Sequence, residues 1–219
     1  MPEKGDDILN KAKLLPKVQL YAIADPSLCL NRDLVELVSQ AIEGGVHMVQ
    51  LRDKKSGDRE FLELARRIHK VALKKNVPLI INDRVDIAKL LDAEGVHLGE
   101  EDLPVKEARN ILGSKKIIGA SASDIKIAKL KEREGADYIG LGPIFETGSK
   151  EIERPLGVEV LKKAKESLRI PVFPIGGISP CNIDEIISTN TKRIAVISAI
   201  FMAEDVRTAT HELLRKLEE

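Results

Sequence analysis

The pattern that decides the fold of this chain is clearest in residues 47–82, which read HMVQLRDKKSGDREFLELARRIHKVALKKNVPLIIN. The stretch begins and ends with short, largely apolar runs, 47–52 and 78–82, as strands buried on both faces do. Between them, apolar residues recur from Phe61 to Ala72 at the spacing of one helix face. The stretch therefore predicts a strand, an amphipathic helix and a second strand.

The same unit recurs along the chain. The strand-like runs are 19–24, 47–52, 78–82, 95–98, 116–120, 137–141, 171–175 and 193–197. Strands that alternate with helices form either a closed barrel or an open doubly wound sheet. The regular spacing and the count of eight favour the barrel. The sequence therefore predicts an α/β protein, a single (β/α)8 TIM barrel over residues 1–219, in which residues 1–18 form a short extra helix that closes the barrel floor.

The composition excludes several classes of partner. Thirty-five basic residues balance thirty-five acidic ones and aromatic residues make up 3%, which argues against a nucleic-acid surface. No apolar run approaches the roughly 20 residues of a membrane span, and the first residues do not resemble a signal peptide. Cys29 and Cys181 lie far apart and form no metal-binding motif. We therefore expect a cytoplasmic protein with small-molecule substrates and without nucleic-acid or membrane partners; whether it forms a homo-oligomer stays open.

Reactive side chains follow the predicted strands, where barrels of this kind place their active sites. After strand 2, the alternation of side chains directs Gln50 and Arg52 to the barrel mouth, with Lys54 just beyond. An Arg offers a planar fork to two phosphate oxygens and a Lys adds a point charge. A binding role is therefore favoured over a solvated loop for Gln50 and Arg52.

Two carboxylates follow the neighbouring strands 3 and 4. Asp83 comes after Asn82, and Asp102 follows Gly99 by three residues. Each could simply cap a helix. Their pairing on adjacent strand ends, facing Arg52 and Lys54, favours Mg²⁺, which takes one or two carboxylates together with phosphate oxygens.

The remaining strand ends carry small and hydroxylated residues. Ser121 ends strand 5, and the loop after strand 6 contains Thr147, Ser149 and Lys150, a pattern typical of a phosphate-gripping lid. After strand 7, Gly176-Gly177 lets backbone N–H groups approach an anion, and Ser179-Pro180 is interpreted as a helix start.

After strand 8, Ile197-Ser198 offers further N–H donors, in a position that binds phosphate in many barrels. Two anion sites are thus predicted, one with metal and one without.

The histidines do not suggest an acid–base catalyst. His69 and His211 fall in helical patterns and are expected on the surface, whereas His47 and His97 lie in strands and are expected to be buried and hydrogen-bonded. Such an inventory fits a reaction that needs little proton transfer but strong stabilisation of a leaving anion.

Together these motifs resemble the thiamine-phosphate synthase family. The resemblance runs from about Leu20 to the C-terminus and rests on QLRDK (50–54), IND (81–83), GVHLGEED (95–102), GAS (119–121), DYIGLGPIF (137–145), IGGI (175–178) and ISAI (197–200). Glu146 and Ser149 depart from it, since relatives usually have Pro and Thr there, and Pro174 replaces a small residue.

The resemblance implies a transferase that joins hydroxymethylpyrimidine diphosphate to hydroxyethylthiazole phosphate and releases pyrophosphate. It implies Mg²⁺ at Asp83 and Asp102, and Gln50 at the pyrimidine. The implied diphosphate ligands are Arg52, Lys54, Asn82, Ser121 and Lys150, of which Arg52, Lys54, Ser121 and Lys150 are the implied catalytic residues. The implied thiazole phosphate ligands are Gly177, Ile197 and Ser198, with Thr147 and Ser149 closing over them.

Three alternatives stay open at this point. A thiazole tautomerase shares the fold but typically carries a His near the end of strand 5, where this chain has Ser121-Ala122-Ser123. A phosphosugar isomerase or decarboxylase would share the phosphate site of strands 7 and 8 but would not require Gln50, Arg52 and Lys54. A non-catalytic barrel that senses thiamine intermediates would keep the same binding residues.

Overall fold

The eight predicted strands form a parallel, nearly closed barrel in the computed structural model, which describes residues 11–147 and 155–219. The strands are β1 Leu20–Ala24, β2 Met48–Leu51, β3 Leu79–Asn82, β4 Gly95–Leu98, β5 Ile117–Ala122, β6 Tyr138–Leu141, β7 Val172–Pro174 and β8 Ile194–Val196. Their order is β7-β6-β5-β4-β3-β2-β1-β8, and the two end strands contact each other. The predicted TIM barrel is thereby confirmed, with each strand within two residues of its expected bounds.

Helices separate the strands and cover the outside of the barrel. They are α1 Lys11–Leu14, α2 Leu34–Glu43, α3 Asp58–Lys74, α4 Val85–Leu91, α5 Val105–Leu112, α6 Ile125–Arg133, α7 Glu159–Ser167, α8 Ile183–Ser188, α9 Ser198–Phe201 and α10 Val206–Glu218. Asp side chains cap several of them; the Asp205 carboxylate, for example, accepts from Thr208 N–H at the start of α10. None of the helices in the described ranges combines the length and hydrophobicity that a membrane crossing requires.

The core is divided by the strands into two layers. The larger layer lies between strands and helices, and the smaller one fills the barrel interior around Tyr21, Tyr138 and Phe173. Leu15 and Val18, which directly precede β1, are buried against this inner layer. The chain segment after α1 therefore closes the barrel floor, as expected, while residues 1–10 lie outside the described ranges.

The burial predicted for two of the histidines, His69 and His47, was wrong. His69 is only 8% exposed, and its Nε2 lies 3.4 Å from Glu94 Oε1. It follows Ile68 on α3 and stands one turn after Ala65, so it belongs to the buried face of that helix. His211 is exposed and His97 is buried and hydrogen-bonded, both as expected. His47 accepts a hydrogen bond from Leu20 N–H, as expected, but it precedes β2 and is half-buried rather than buried.

Candidate active site

The Arg52 side chain is held in place by a buried carboxylate that sequence reasoning missed. Asp25 is 4% exposed and binds the Arg52 guanidinium through Oδ2. Its Oδ1 accepts from Ser27 N at 2.9 Å and Ser27 Oγ at 2.6 Å. Asp25 directly follows β1, so the rule that site residues follow strands could have found it. The ion pair therefore holds the Arg52 guanidinium near the end of β1.

Asp83 and Asp102 lie beside each other at the ends of β3 and β4, with Lys54 bonded to Asp83. Neither of them caps a helix, because Arg84 and Pro104 take the N-cap positions of α4 and α5. Asp102 Oδ2 instead accepts from Gly99 N at 2.6 Å. Asp83 has a φ of 60°, a left-handed conformation that is uncommon outside glycine and concentrates at functional sites. The cap interpretation of both residues was therefore wrong.

Each of the two carboxyl groups shifts the pKa of the other. Burial, followed by the neighbouring Asp102, raises the pKa of Asp83, and Lys54 opposes the shift. Burial also acts to raise the pKa of Asp102, but hydrogen bonds with Asp83 and with the Gly99 N–H outweigh it and lower that pKa. Two half-buried carboxylates of this kind repel each other unless a proton or a cation lies between them.

This donor set fits Mg²⁺ bound together with a phosphorylated ligand. In residues 11–147 and 155–219, no group of three or more His, Cys, Asp or Glu side chains is placed to hold a metal ion. Mg²⁺ does not need one, since it is usually held by one or two carboxylates, substrate phosphate oxygens and water. Asp83 and Asp102 would supply the protein ligands, and the mutual repulsion of the pair favours a divalent cation.

A line of buried polar groups crosses the barrel interior from β2 to β5. Gln50 Nε2 donates to Tyr21 Oη, which lies 2.7 Å from Tyr138 Oη. His97 joins Tyr138 Oη through Nδ1 at 3.0 Å and Ser121 Oγ through Nε2 at 2.9 Å. Burial raises the pKa of both tyrosines, so they stay neutral. No local sequence pattern indicates this role, because tyrosines within strands are equally typical of an apolar core.

A cavity of about 650 Å³ opens at the ends of β1, β2, β6, β7 and β8. Five of the predicted site residues line it, namely Arg52, Thr147, Gly177, Ile197 and Ser198, together with Asp25. Because Ile197 precedes α9, the first N–H groups of that helix have no acceptor within it. The cavity therefore brings together residues that the sequence predicts for the metal-free anion site.

Six predicted residues lie outside that cavity lining: Gln50, Lys54, Asn82, Asp83, Asp102 and Ser121. They occupy the ends of β2 to β5, where Asn82 is buried at the last position of β3. Arg52 lies between the two sets of residues, because it follows β2 and also lines the cavity. Ser149 and Lys150 fall outside the described residues.

The glycine pair after β7 is required by the approach of the preceding loop. Gly177 has a φ of 66°, and a Cβ there would lie 2.3 Å from the backbone oxygen of Glu146. The pair thus packs the loop after β7 directly against Glu146, where the predicted lid begins. The predicted helix start at Ser179-Pro180 was wrong: α8 begins at Ile183, and Ser179 N–H donates to Asn182 Oδ1 at 2.8 Å.

Comparison with known proteins identifies the family. The family model of thiamine monophosphate synthase, TMP-TENI, matches residues 20–200. A thiamine-phosphate synthase of Clostridium novyi is 45% identical over 89% of this chain and 96% of its own length. One from Caldanaerobacter subterraneus subsp. tengcongensis is 46% identical over 90% and 92%.

A solved structure agrees with the sequence comparisons. The thiamine phosphate pyrophosphorylase of Pyrococcus furiosus is 40% identical, superimposes with a TM-score of 0.82, and is matched over 91% of this chain and 95% of its own. The match therefore extends from the sequence motifs to the whole barrel. This chain belongs to the thiamine monophosphate synthase family.

Proposed function

We propose that the chain is a thiamine-phosphate synthase, which condenses hydroxymethylpyrimidine diphosphate with hydroxyethylthiazole phosphate to give thiamine phosphate and pyrophosphate. The observation that carries this proposal is the half-buried pair Asp83 and Asp102, with Lys54 bonded to Asp83 and with a separate cavity that Arg52 lines. A single monophosphate substrate would need the cavity alone. The carboxylate pair supports a second, metal-assisted diphosphate.

The diphosphate is proposed to bind across β2 to β6. Arg52, Lys54, Asn82, Ser121 and Lys150 would hold its oxygens. Bound at Asp83 and Asp102, Mg²⁺ would neutralise part of the charge of the leaving group. The carbon–oxygen bond breaks, its electron pair leaves with pyrophosphate, and a pyrimidine methylene cation is formed. Oriented cations and N–H donors stabilise the departing anion without reorganising during the reaction.

The thiazole phosphate is proposed to bind in the cavity at β7 and β8. Gly177, Ile197 and Ser198 would hold its phosphate, with Thr147 and Ser149 closing over it. The ring nitrogen then donates its lone pair to the methylene carbon. Because that nitrogen carries no proton, no general base is needed, which agrees with histidines that serve as structural partners.

We also propose that the enzyme works in the cytoplasm on small-molecule substrates alone, with Mg²⁺ as its cofactor and with the whole chain as one barrel domain. The even charge balance and the carboxylate pair support these statements.

The test is a turnover assay with both substrates and Mg²⁺, followed by chromatography for thiamine phosphate and pyrophosphate. Omitting either substrate, or replacing Mg²⁺ with a chelator, should abolish both products. Isomerisation of the thiazole without condensation would favour a tautomerase instead. The absence of product at saturating substrate would rule out the synthase.

A further inference from the structure

The hydrogen-bonded line across the barrel connects two proposed substrate contacts. Gln50, proposed for the pyrimidine, lies at one end, and Ser121, proposed for the diphosphate, lies at the other. Tyr21, Tyr138 and His97 join them, and all three are buried. The rings also pack together: His97 stacks on Tyr138 with centroids 5.5 Å apart, and Tyr21 meets Tyr138 edge-on at 5.7 Å. This ring packing holds the hydroxyl groups and ring nitrogens of the line at hydrogen-bonding distance from one another.

Each side chain inside this line donates a hydrogen bond to one neighbour and accepts one from the other. All hydrogen bonds of the line must therefore run in the same direction. Gln50 Nε2 donates to Tyr21, which leaves the Tyr21 proton for Tyr138. Tyr138 in turn donates to His97 Nδ1. A neutral imidazole has a single N–H, and that proton then lies on Nε2 and is donated to Ser121. With its lone pair engaged, Ser121 keeps its own proton for an acceptor in the barrel mouth.

The hydrogen bonds between the same five side chains can also run in the opposite direction. Ser121 then donates to His97 Nε2, the imidazole proton lies on Nδ1, and the tyrosine hydroxyls turn toward β2. Tyr21 would donate to Gln50 Oε1 after the amide rotates. In this second arrangement Ser121 offers only an acceptor to the mouth, and Gln50 offers its NH₂ group.

A substrate anion discriminates between the two arrangements. A diphosphate oxygen accepts hydrogen bonds only, so it favours the arrangement in which Ser121 donates outward. In that arrangement the Gln50 NH₂ group is bonded to Tyr21, and the Gln50 carbonyl oxygen is the atom that would accept from the exocyclic amino group of the pyrimidine. In the opposite arrangement the NH₂ group of Gln50 would face the amino group of the pyrimidine, and both groups are donors.

We propose that Tyr21, Tyr138 and His97 are positioning residues that couple the diphosphate contact at Ser121 to the pyrimidine contact at Gln50. This inference rests on the proposed function, because that function assigns the two ends. Coupling of this kind is reciprocal: each ligand raises the affinity for the other by the same factor. The line therefore selects a substrate that carries both groups over either fragment alone.

The test is to measure the affinity for hydroxymethylpyrimidine by calorimetry, with and without inorganic pyrophosphate and Mg²⁺. In the unaltered protein we expect pyrophosphate to raise that affinity about tenfold, a typical size for coupling between sites. Tyr21→Phe and Tyr138→Phe each remove one hydroxyl from the line, and the ratio should fall toward one. A ratio near one in the unaltered protein, or one unchanged in both variants, would overturn the inference.

Phe173→Leu is the matched control. Phe173 meets Tyr21 and Tyr138 edge-on, with centroids 5.6 and 5.5 Å away, and contributes no hydrogen bond to the line. This variant should lose stability but keep the coupling ratio. If both tyrosine variants fail to fold, a pyrimidine with hydrogen in place of the amino group gives the same test in the unaltered protein, where its ratio should be near one. Turnover by the unaltered protein is tested separately, so loss of coupling and loss of the synthase activity are distinguishable.

Discussion

Asp83→Asn should reduce turnover about a hundredfold while leaving the fold intact. Asn is preferred to Ala because Asp83 has a φ of 60°, which Asn tolerates and Ala adopts at a cost of about 1–2 kcal/mol. The substitution removes one of two proposed metal ligands with almost no change of shape. The loss of one oriented electrostatic contact in a transition state is typically about 3 kcal/mol, or roughly a hundredfold in rate.

The expected change in stability is small because two effects oppose each other. The variant loses the ion pair with Lys54, whose side chain is 51% exposed, and such a pair contributes at most about 1 kcal/mol. It also loses a carboxylate whose pKa is raised by burial and by Asp102, so its charge is unfavourable at neutral pH. The free energy of unfolding should therefore change by less than about 1 kcal/mol, the bound set by that ion pair.

The assays are turnover at saturating substrates and a titration of thiazole phosphate binding, which should be unchanged. Asp92→Asn is the matched control: Asp92 is also left-handed, with a φ of 54°, and its carboxylate pairs with Lys116. Asp92 is 88% exposed at its side chain and ends α4, so this variant should keep full turnover. If Asp83→Asn weakens thiazole phosphate binding as much as turnover, the residue is structural and the metal assignment is wrong.

Three further predictions concern the phosphate loop, the carboxylate pair and the lid. Gly177→Ala should weaken thiazole phosphate binding and lower the free energy of unfolding by about 1–3 kcal/mol, because φ is positive there and the new Cβ would meet the backbone oxygen of Glu146. Thermal unfolding checks this, and the control Gly57→Ala should leave stability unchanged because nothing lies within 4 Å of a Cβ at that position. Without Mg²⁺, stability should fall as pH rises from the ordinary aspartate pKa through the raised pKa of Asp83, because the folded state binds the extra proton in that window. Unfolding at a series of pH values should show this fall in the original protein and not in Asp83→Asn; equal curves would contradict it. Lys150→Ala should slow turnover about a hundredfold if the side chain grips the leaving diphosphate, and a near-normal rate in a single-turnover assay would refute that role.

The order of strands and helices was available from the sequence, because burial on both faces makes each strand a continuous apolar run and each helix shows a 3.6-residue period. The positions of Arg52, Asp83 and Ser198 followed from the same pattern, since a parallel barrel brings the carboxyl ends of all strands to one face. Helix faces and helix boundaries were less certain. His69 is adjacent to the buried Ile68 on α3 and is itself buried, and α8 begins at Ile183, three residues after the predicted start at Pro180.

The tertiary structure alone decided which side chains meet. Asp25 and Arg52 are 27 residues apart, and Tyr21 and Tyr138 are 117 apart. Contacts at such separations depend on the closure and stagger of the barrel, which no local pattern encodes. The pairing of Asp83 with Asp102 could be anticipated because their strands are neighbours along the chain and in space. The line of hydrogen bonds from Gln50 to Ser121 could not be anticipated, because its members come from five strands and meet only inside the closed barrel.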